Sequence, residues 1–191
     1  MNATPLPMLR TFILYVADKP GVLDRVASLF RRRGFNIESL TVGRTERVGV
    51  SRMTIVLDTD ELGGARIEAN LYKLFHVLRV ENITAAPSVM RDLAMIKVAT
   101  TPETRTEIMQ VAHVFRARIV DVAPDSLVLE TTGTEDKISG LVEVLRGYGI
   151  LEMARTGRVA MRRGAQNGAA MNLRVEEDGE LAQAAAVSYS V

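Results

Sequence analysis

The sequence predicts an α+β protein made of two tandem ferredoxin-like βαββαβ domains. The first observation is a strand, a short Pro-Gly turn and an amphipathic helix over residues 9–33, followed by two strands, a helix and a strand. The second observation is that this order recurs after Pro87, with Pro20 and Pro102 about 82 residues apart. Each copy should therefore form a four-stranded antiparallel sheet with two helices on one face.

The first copy contains elements with recognisable starts and ends. The first strand is apolar on both faces, as expected of a central strand. Pro20 suits the first position of the helix, and Gly34, after three arginines, suits its end. Gly63 and Gly64 weaken the start of the second helix because glycine costs helix propensity. The predicted strands are 9–16, 35–44, 50–58 and 76–83, and the predicted helices are 22–33 and 64–75.

The second copy repeats the pattern, with Thr101 and Thr134 as helix caps. We predict domain boundaries of 9–86 and 87–163, a lead-in at 1–8, and a flexible tail at 164–191, where the periodicity stops. The predicted strands of the second copy are 93–99, 118–122, 127–131 and 150–161.

Composition excludes several classes of protein. The chain has 191 residues, 47% of them apolar, which is enough for a real core. With 24 basic and 23 acidic residues there is no general field to attract nucleic acid or an anionic membrane. The absence of cysteine excludes disulfides and thiolate chemistry. No signal-peptide pattern and no apolar run of about 20 residues is present, so we expect a soluble, cytoplasmic protein.

The turn before the first helix is the main candidate for a binding site. Gly21 stands at the helix mouth, where backbone N–H groups and the helix dipole favour an anion. Glycine also lets a ligand approach without a side chain in the way. The alternative is that Pro20-Gly21 is simply a tight strand-to-helix turn.

Two polar residues extend this candidate site toward a zwitterion. Asn36, where the neighbouring strand begins, offers an amide, and Asp18 offers charge for an ammonium group. An amino acid could place its carboxylate on the helix mouth and its side chain against Val22, Leu23 or Ile37. The second copy has Glu103 where the 82-residue spacing puts Gly21, and this carboxylate would repel an anion.

Three motifs of the first copy stand out: Asp18-Lys19-Pro20-Gly21-Val22-Leu23, Asn36-Ile37-Glu38-Ser39-Leu40-Thr41-Val42 and Ser51-Arg52-Met53-Thr54-Ile55. They resemble those of a known family, the regulatory (small) subunit of acetolactate synthase, also called acetohydroxyacid synthase. The resemblance covers about residues 8–163. Its most specific part is the combination of the second and third motifs.

The resemblance implies an N-terminal ACT domain, a related C-terminal domain, and a homodimer that binds a branched-chain amino acid, usually valine, at the ACT interface. It implies no catalysis by this chain and no cofactor in it. The catalytic partner, the large subunit, would carry thiamine diphosphate, Mg²⁺ and FAD. The small subunit would raise that partner's activity and confer feedback inhibition. The implied effector site uses Asp18, Gly21, Val22, Leu23, Asn36, Ile37, Thr41 and Gly43.

Two positions depart from the family pattern, and other functions stay open. The family often has asparagine at Asp18 and glutamine at Arg66, and Arg66 could offset the charge of Asp18. A stand-alone tandem ACT regulator of another amino-acid pathway would share the same effector chemistry. An RNA-binding module of the same topology would need exposed aromatics, which make up only 5% of the chain. A free-standing enzyme would need a nucleophile, base or metal set that we do not find.

Overall fold

The computed structural model of the protein describes residues 8–164 and residue 173. Among these residues one compact unit extends to Ser88 and resumes at Ala160, and the other is Val89–Val159. The elements are β1 (Met8–Ala17), α1 (Val22–Arg33), β2 (Ile37–Arg44), β3 (Val50–Thr59), α2 (Glu61–Leu71), β4 (Val77–Asn82), β5 (Ser88–Ala99), α3 (Pro102–Val114), β6 (Arg118–Val122), β7 (Ser126–Gly133), α4 (Glu135–Arg146), β8 (Ile150–Arg155) and β9 (Val159–Arg162).

The first unit is built on an antiparallel sheet with the strand order β2-β3-β1-β4. Alternate residues of the central strands, such as Phe12 opposite Ile55 and Leu14 opposite Met53, point to one face. Helices α1 and α2 cover that face with their apolar sides, which include Val26 of α1 and Ile67 of α2. The buried core comprises Phe12, Leu14, Val16, Val22, Val26, Leu29, Phe30, Met53, Ile55, Leu57, Ile67, Leu71, Val77 and Val80.

The second unit repeats the arrangement with the strand order β6-β7-β5-β8 and the helices α3 and α4. Ile96 lies opposite both Leu129 and Met153, so its strand is central, like β1 in the first unit. The predicted tandem βαββαβ fold is thereby confirmed. Its buried core comprises Ala94, Ile96, Val98, Ile108, Ala112, Leu127, Leu129, Ile138, Leu141 and Leu145.

The second helix of the first unit begins earlier than the two glycines suggested. Asp60 caps α2 by accepting a hydrogen bond from the Gly63 N–H at 2.7 Å. Both glycines lie inside the helix and are buried. A Cβ on Gly63 would lie only 2.1 Å from Thr59 Oγ1. Close packing therefore explains the glycines that propensity alone read as a weak start. The predicted extension to residue 75 was wrong because α2 ends at Leu71.

Other predicted boundaries also shift. The single strand predicted at 150–161 is two strands, β8 and β9. The strand β5 begins at Ser88 rather than at residue 93. The strand β4 begins after His76, whose φ of 71° is left-handed and outside the strand region. The predicted lead-in before Met8 and the predicted tail, apart from positions 164 and 173, lie outside the described residues. Within the described ranges, no helix is long and apolar enough to span a membrane.

Candidate functional site

The mouth of α1 is formed by a tight turn at the end of the central strand β1. The Asp18 N–H donates to Gly49 O at 2.8 Å, which joins this turn to the loop between β2 and β3. Gly21 is the N-cap and has a left-handed φ of 79°, a conformation that favours glycine. Pro20 was predicted to be the first residue of the helix. It is instead a turn residue that precedes the N-cap. The helix itself begins at Val22.

This helix mouth has no side-chain cap within the described part of the chain. The Val22 N–H reaches only Lys19 O, at a long 3.5 Å. A Cβ built on Gly21 would have no described atom within 4 Å, so the mouth faces open space. The other three helices, in contrast, begin with a side chain that accepts a backbone N–H, from Asp60, Thr101 or Thr134. The first N–H groups of α1 are thus the ones left for an external acceptor.

The two apolar residues at the mouth differ in availability. The Val22 side chain is only 3% exposed and belongs to the core. The Leu23 side chain is 44% exposed. A ligand at the mouth could therefore contact Leu23 and not the side chain of Val22, whose contribution is limited to its backbone.

Asp18 has a partner that the sequence did not suggest. Its Oδ2 lies 3.5 Å from Arg44 Nε, and both side chains are largely exposed, at 43% and 88%. The sequence suggested Arg66 as the balancing charge, whereas the structure places Arg44, the last residue of β2, beside Asp18. The pair also ties the turn to the end of β2 that contains Gly43.

The remaining candidate residues lie along β2, at both of its ends. Gly43 is opposite Arg52, while Ile37 is opposite Leu57, near the other end of the sheet. Asn36 precedes Ile37, and its amide donates to Glu38 Oε1. Because Ile37 and Gly43 are six residues apart, they are separated by about 20 Å along the strand. One copy of the chain therefore brings Asp18, Gly21, Leu23 and Gly43 to one end and leaves Asn36 and Ile37 at the other.

Thr41 and Gly43 lie on the face of the sheet opposite the helices. Thr41 is paired with Thr54, which is in turn paired with Ile13, and each of these alternates along its strand with residues of the helix-facing core. Ile37, in contrast, packs against the helix-facing core. The edge strand β2 thus presents its predicted site residues on two different faces.

The mouth of α3, in the second unit, is already occupied. Thr101 Oγ1 accepts the Thr104 N–H at 3.3 Å, and Thr104 Oγ1 accepts the Thr101 N–H at 2.9 Å. The N-cap Thr101, not Glu103, is therefore the counterpart of the N-cap Gly21, which corrects the equivalence drawn from the proline spacing. The pKa of Glu103 lies below its usual value, mainly because of a hydrogen bond with the Thr101 hydroxyl and also because of one with the backbone N–H of Glu103.

No group of three or more metal-ligating side chains is present among residues 8–164 and 173. What distinguishes the two units is the helix mouth, which is open in the first and capped in the second. A tandem pair of βαββαβ units, the first with a glycine at this mouth, defines the chain as a protein with domains of the ACT type.

Comparison with known proteins identifies the family. The model for an AHAS small subunit-like ACT domain matches residues 12–79, and that for the small subunit of acetolactate synthase matches residues 91–164. The chain is 54% identical over 157 residues to the probable acetolactate synthase small subunit of Archaeoglobus fulgidus, which covers 82% of this chain and 98% of that protein. It is 46% identical over 166 residues to the acetolactate synthase small subunit of Bacillus subtilis, covering 86% and 96%.

A solved structure agrees with these matches. The crystal structure of the acetolactate synthase small subunit from Thermotoga maritima superposes with a TM-score of 0.78 at 39% identity, over 83% of this chain and 99% of that one. The chain belongs to the family of acetolactate synthase small subunits. That family is the regulatory, non-catalytic subunit of the enzyme, so this chain is not itself the catalyst.

Proposed function

We propose that this chain binds the large catalytic subunit of acetolactate synthase, raises its activity, and confers feedback inhibition by valine or a related branched-chain amino acid. The observation that carries the proposal is the uncapped mouth of α1, with Gly21 at its N-cap and open space in front of it. Membership of the family supports a catalytic subunit of acetolactate synthase as the partner. It also favours this role over that of a stand-alone regulator of another amino-acid pathway.

The chemistry of the mouth suits the two ends of an apolar amino acid. The effector carboxylate accepts hydrogen bonds from the first N–H groups of α1, where the helix dipole adds attraction. The effector side chain contacts Leu23, which is 44% exposed at this position. The Asp18 charge does not oppose the carboxylate strongly, because Arg44 lies 3.5 Å from it.

The site is completed by a second copy of the chain. Asn36 lies about 20 Å along β2 from the end that carries the helix mouth, so a single copy cannot offer both to one amino acid. Strand β2 is an edge strand, and a second β2 paired antiparallel with it would set residue 37 of one copy opposite residue 43 of the other. Asn36 of each copy would then lie beside the mouth of its neighbour. We therefore propose a homodimer with two effector sites.

The cofactors belong to the catalytic subunit in this proposal. Thiamine diphosphate, Mg²⁺ and FAD are expected there, and this chain contributes a conformational signal rather than a chemical group. The effector favours one arrangement of the paired ACT domains, and the catalytic subunit responds to that arrangement with a coupling of about 1–3 kcal/mol. We expect the complex to work in the cytoplasm.

The experiment that tests the proposal is calorimetric titration of the purified chain with valine, leucine and isoleucine. Saturable binding of one of them is expected for the native chain. Gly21→Asp should lower the affinity at least about 100-fold, because it places a carboxylate where the effector carboxylate binds. Gly21→Asp, mixed with the catalytic subunit, should lose inhibition and keep activation.

Two controls separate charge from backbone strain. Gly21→Asn adds the same volume without the charge and tolerates the left-handed conformation. Gly34→Asp adds the same charge at the other end of α1, where φ is 70° and open space surrounds the position. Binding should fall less in Gly21→Asn than in Gly21→Asp and should persist in Gly34→Asp. Normal binding by Gly21→Asp would refute the helix-mouth site.

A further inference from the structure

After strand β8, the chain comes back to the first unit. The second unit ends at Val159, and residues 160–163, which we name the return segment, belong to the first. Most of this segment is strand β9, which pairs with β5. Ala160 is only 1% exposed. The Arg163 N–H donates to Pro87 O at 2.9 Å, and its Nε donates to Ser88 O at 3.2 Å. The return segment is thus fixed beside the point at which the chain first leaves that unit.

Glu81 holds the return segment through an ion pair. Its side chain is 9% exposed and lies between two arginines on the sheet face opposite the helices. Arg79 Nε is 2.8 Å from Oε1, and Arg162 Nε is 3.2 Å from Oε2. A carboxylate this buried needs both partners, because an unpaired charge would lose its hydration without compensation. The contact with Arg162 is an ion pair only, since the Arg162 Nε–H makes no hydrogen bond among the described residues.

Arg52 connects the same segment to the strand of the proposed effector site. Its guanidinium donates to Ala160 O and to Thr54 Oγ1, and its Cζ lies 5.9 Å from the centre of the Tyr15 ring. On β3, Arg52 lies directly opposite Gly43 of β2. One side chain therefore contacts the return segment and stands next to the strand that presents Thr41 and Gly43.

We propose that the return segment is a regulatory strap, paired with β5 and held by Arg52 and Glu81, whose closure depends on the state of β2. This inference rests on the proposed function, since it concerns how effector binding at the β2 edge is turned into inhibition. Arg52 and Glu81 are positioning residues. They lie outside the effector site and hold the strap in the arrangement that the effector-bound dimer requires.

The strap separates inhibition from effector binding and from activation. Effector affinity depends on the helix mouth and β2, neither of which includes Glu81. Activation depends on association of the two subunits. Inhibition depends, in addition, on a strap that is closed when the effector is bound and opens at a cost in free energy. Weakening the strap should therefore reduce inhibition without abolishing binding.

The test uses Glu81→Gln in the full chain reconstituted with the catalytic subunit. Its matched control is Glu135→Gln, which breaks the 2.6 Å pair with Arg158 Nη2, just before the return segment and within the second unit. Three quantities are measured: valine affinity by calorimetry, activation without valine, and maximal inhibition at saturating valine. Amide hydrogen exchange of residues 160–163 reports the strap directly.

In Glu81→Gln we expect about tenfold faster exchange confined to the strap, valine affinity within about threefold, and activation within about twofold. Maximal inhibition should fall to less than about half of its native value, and Arg52→Gln should do the same. Glu135→Gln should leave all of these at native values. If Glu81→Gln does not fold, Arg162→Gln removes the same pair from its more exposed side.

Two results would overturn the strap. Full inhibition despite faster exchange would show that the strap moves without carrying regulation. Parallel loss of binding, activation and inhibition, with a lower melting temperature, would show a purely structural contact. A native complex that none of the three amino acids inhibits would instead refute the proposed function, and the strap's regulatory role with it.

Discussion

The first helices of the two units begin in opposite ways, although both follow a central strand of the same fold. Helix α1 starts at Gly21, a left-handed glycine without a side-chain cap, while α3 starts at Thr101 inside a reciprocal capping box. The fold itself therefore does not require an open mouth. A threonine cap usually contributes about 1 kcal/mol. The first unit forgoes this stabilisation at the one mouth that we propose is completed by a ligand.

The second helices also differ, and here the contrast concerns packing. Helix α2 contains Gly63 and Gly64, both buried, whereas α4 contains Gly140, which is only half-buried. A Cβ on Gly63 would meet Thr59 Oγ1 at 2.1 Å, but a Cβ on Gly140 would meet Phe115 at an ordinary 3.6 Å. The same residue type is thus required by close approach in one unit and is merely tolerated in the other.

The largest expected effect is the loss of stability in Gly63→Ala. The added methyl group collides with the Thr59 side chain and with the Asp60 carboxylate that caps the helix, at 2.9 Å. Overpacking of this kind costs about 1–3 kcal/mol, more than the roughly 1 kcal/mol that alanine gains in helix propensity. Denaturant unfolding should show a lower free energy of unfolding for the first unit. An unchanged or higher value would mean that Thr59 rotates away freely.

Next in size is the loss of the cap of α3 in Thr101→Ala. Removing the hydroxyl leaves the Thr104 N–H unsatisfied and should cost about 1 kcal/mol. Denaturant unfolding of the second unit measures the loss. Thr101→Ser is the matched control because it keeps the acceptor and should be near-native. A cost as large in Thr101→Ser would locate the effect in the methyl group and not in the cap.

The same variant should also change the titration of Glu103. The Thr101 hydrogen bond lowers the pKa of Glu103, so in Thr101→Ala that pKa should move back up toward its usual value, as NMR titration would show. A folded-state pKa below the unfolded one stabilises the fold above the unfolded value, and this is lost as pH falls through the folded value. In the variant the Glu103 contribution should therefore shrink. An unmoved pKa would show that the backbone N–H alone is responsible.

A smaller effect of opposite sign is expected for Gly140→Ala in α4. Alanine is the better helix former, and the nearest atom to the new methyl group, Phe115 Cε1, is at ordinary contact distance. The free energy of unfolding of the second unit should rise by about 0.5–1 kcal/mol. Paired with Gly63→Ala, the substitution sharpens the comparison of the two units. Equal effects in both would contradict the packing difference.

The sequence predicted the features that local pattern determines. The order of elements, the mouth at Gly21 and the cap at Thr101 follow from periodicity and turn residues. What it missed depends on contacts distant in sequence. The pairing of Asp18 with Arg44 and the burial of Gly63 against Thr59 become visible only when strands and helices are assembled. The equivalence of Pro20 and Pro102 was wrong because the N-cap Gly21 follows Pro20, whereas the N-cap Thr101 precedes Pro102. The proline spacing cannot reveal this difference.

The separation of the site residues could also not be read from the sequence. Asn36 and Gly21 are close along the chain, and sequence alone made them members of one small site. The antiparallel register of β2, in which Ile37 lies opposite Leu57 and Gly43 opposite Arg52, puts them at different ends of the sheet. This separation is also what turns the expected dimer from an inherited family feature into a requirement of the proposed site.

The smallest expected effect distinguishes the carboxylates at the two mouths. Glu103 is held by Thr101, whereas Asp18 is balanced by an exposed Arg44 3.5 Å away. Arg44→Gln should unbalance Asp18 and weaken valine binding about two- to fivefold at low salt, since charges near 4 Å in water interact by about 1 kcal/mol. Asp18→Asn alone should change the affinity little, and the double variant should restore it. A tenfold loss in Asp18→Asn would instead make Asp18 a direct partner of the effector ammonium, and the two mouths would then differ in ligand chemistry as well as in capping.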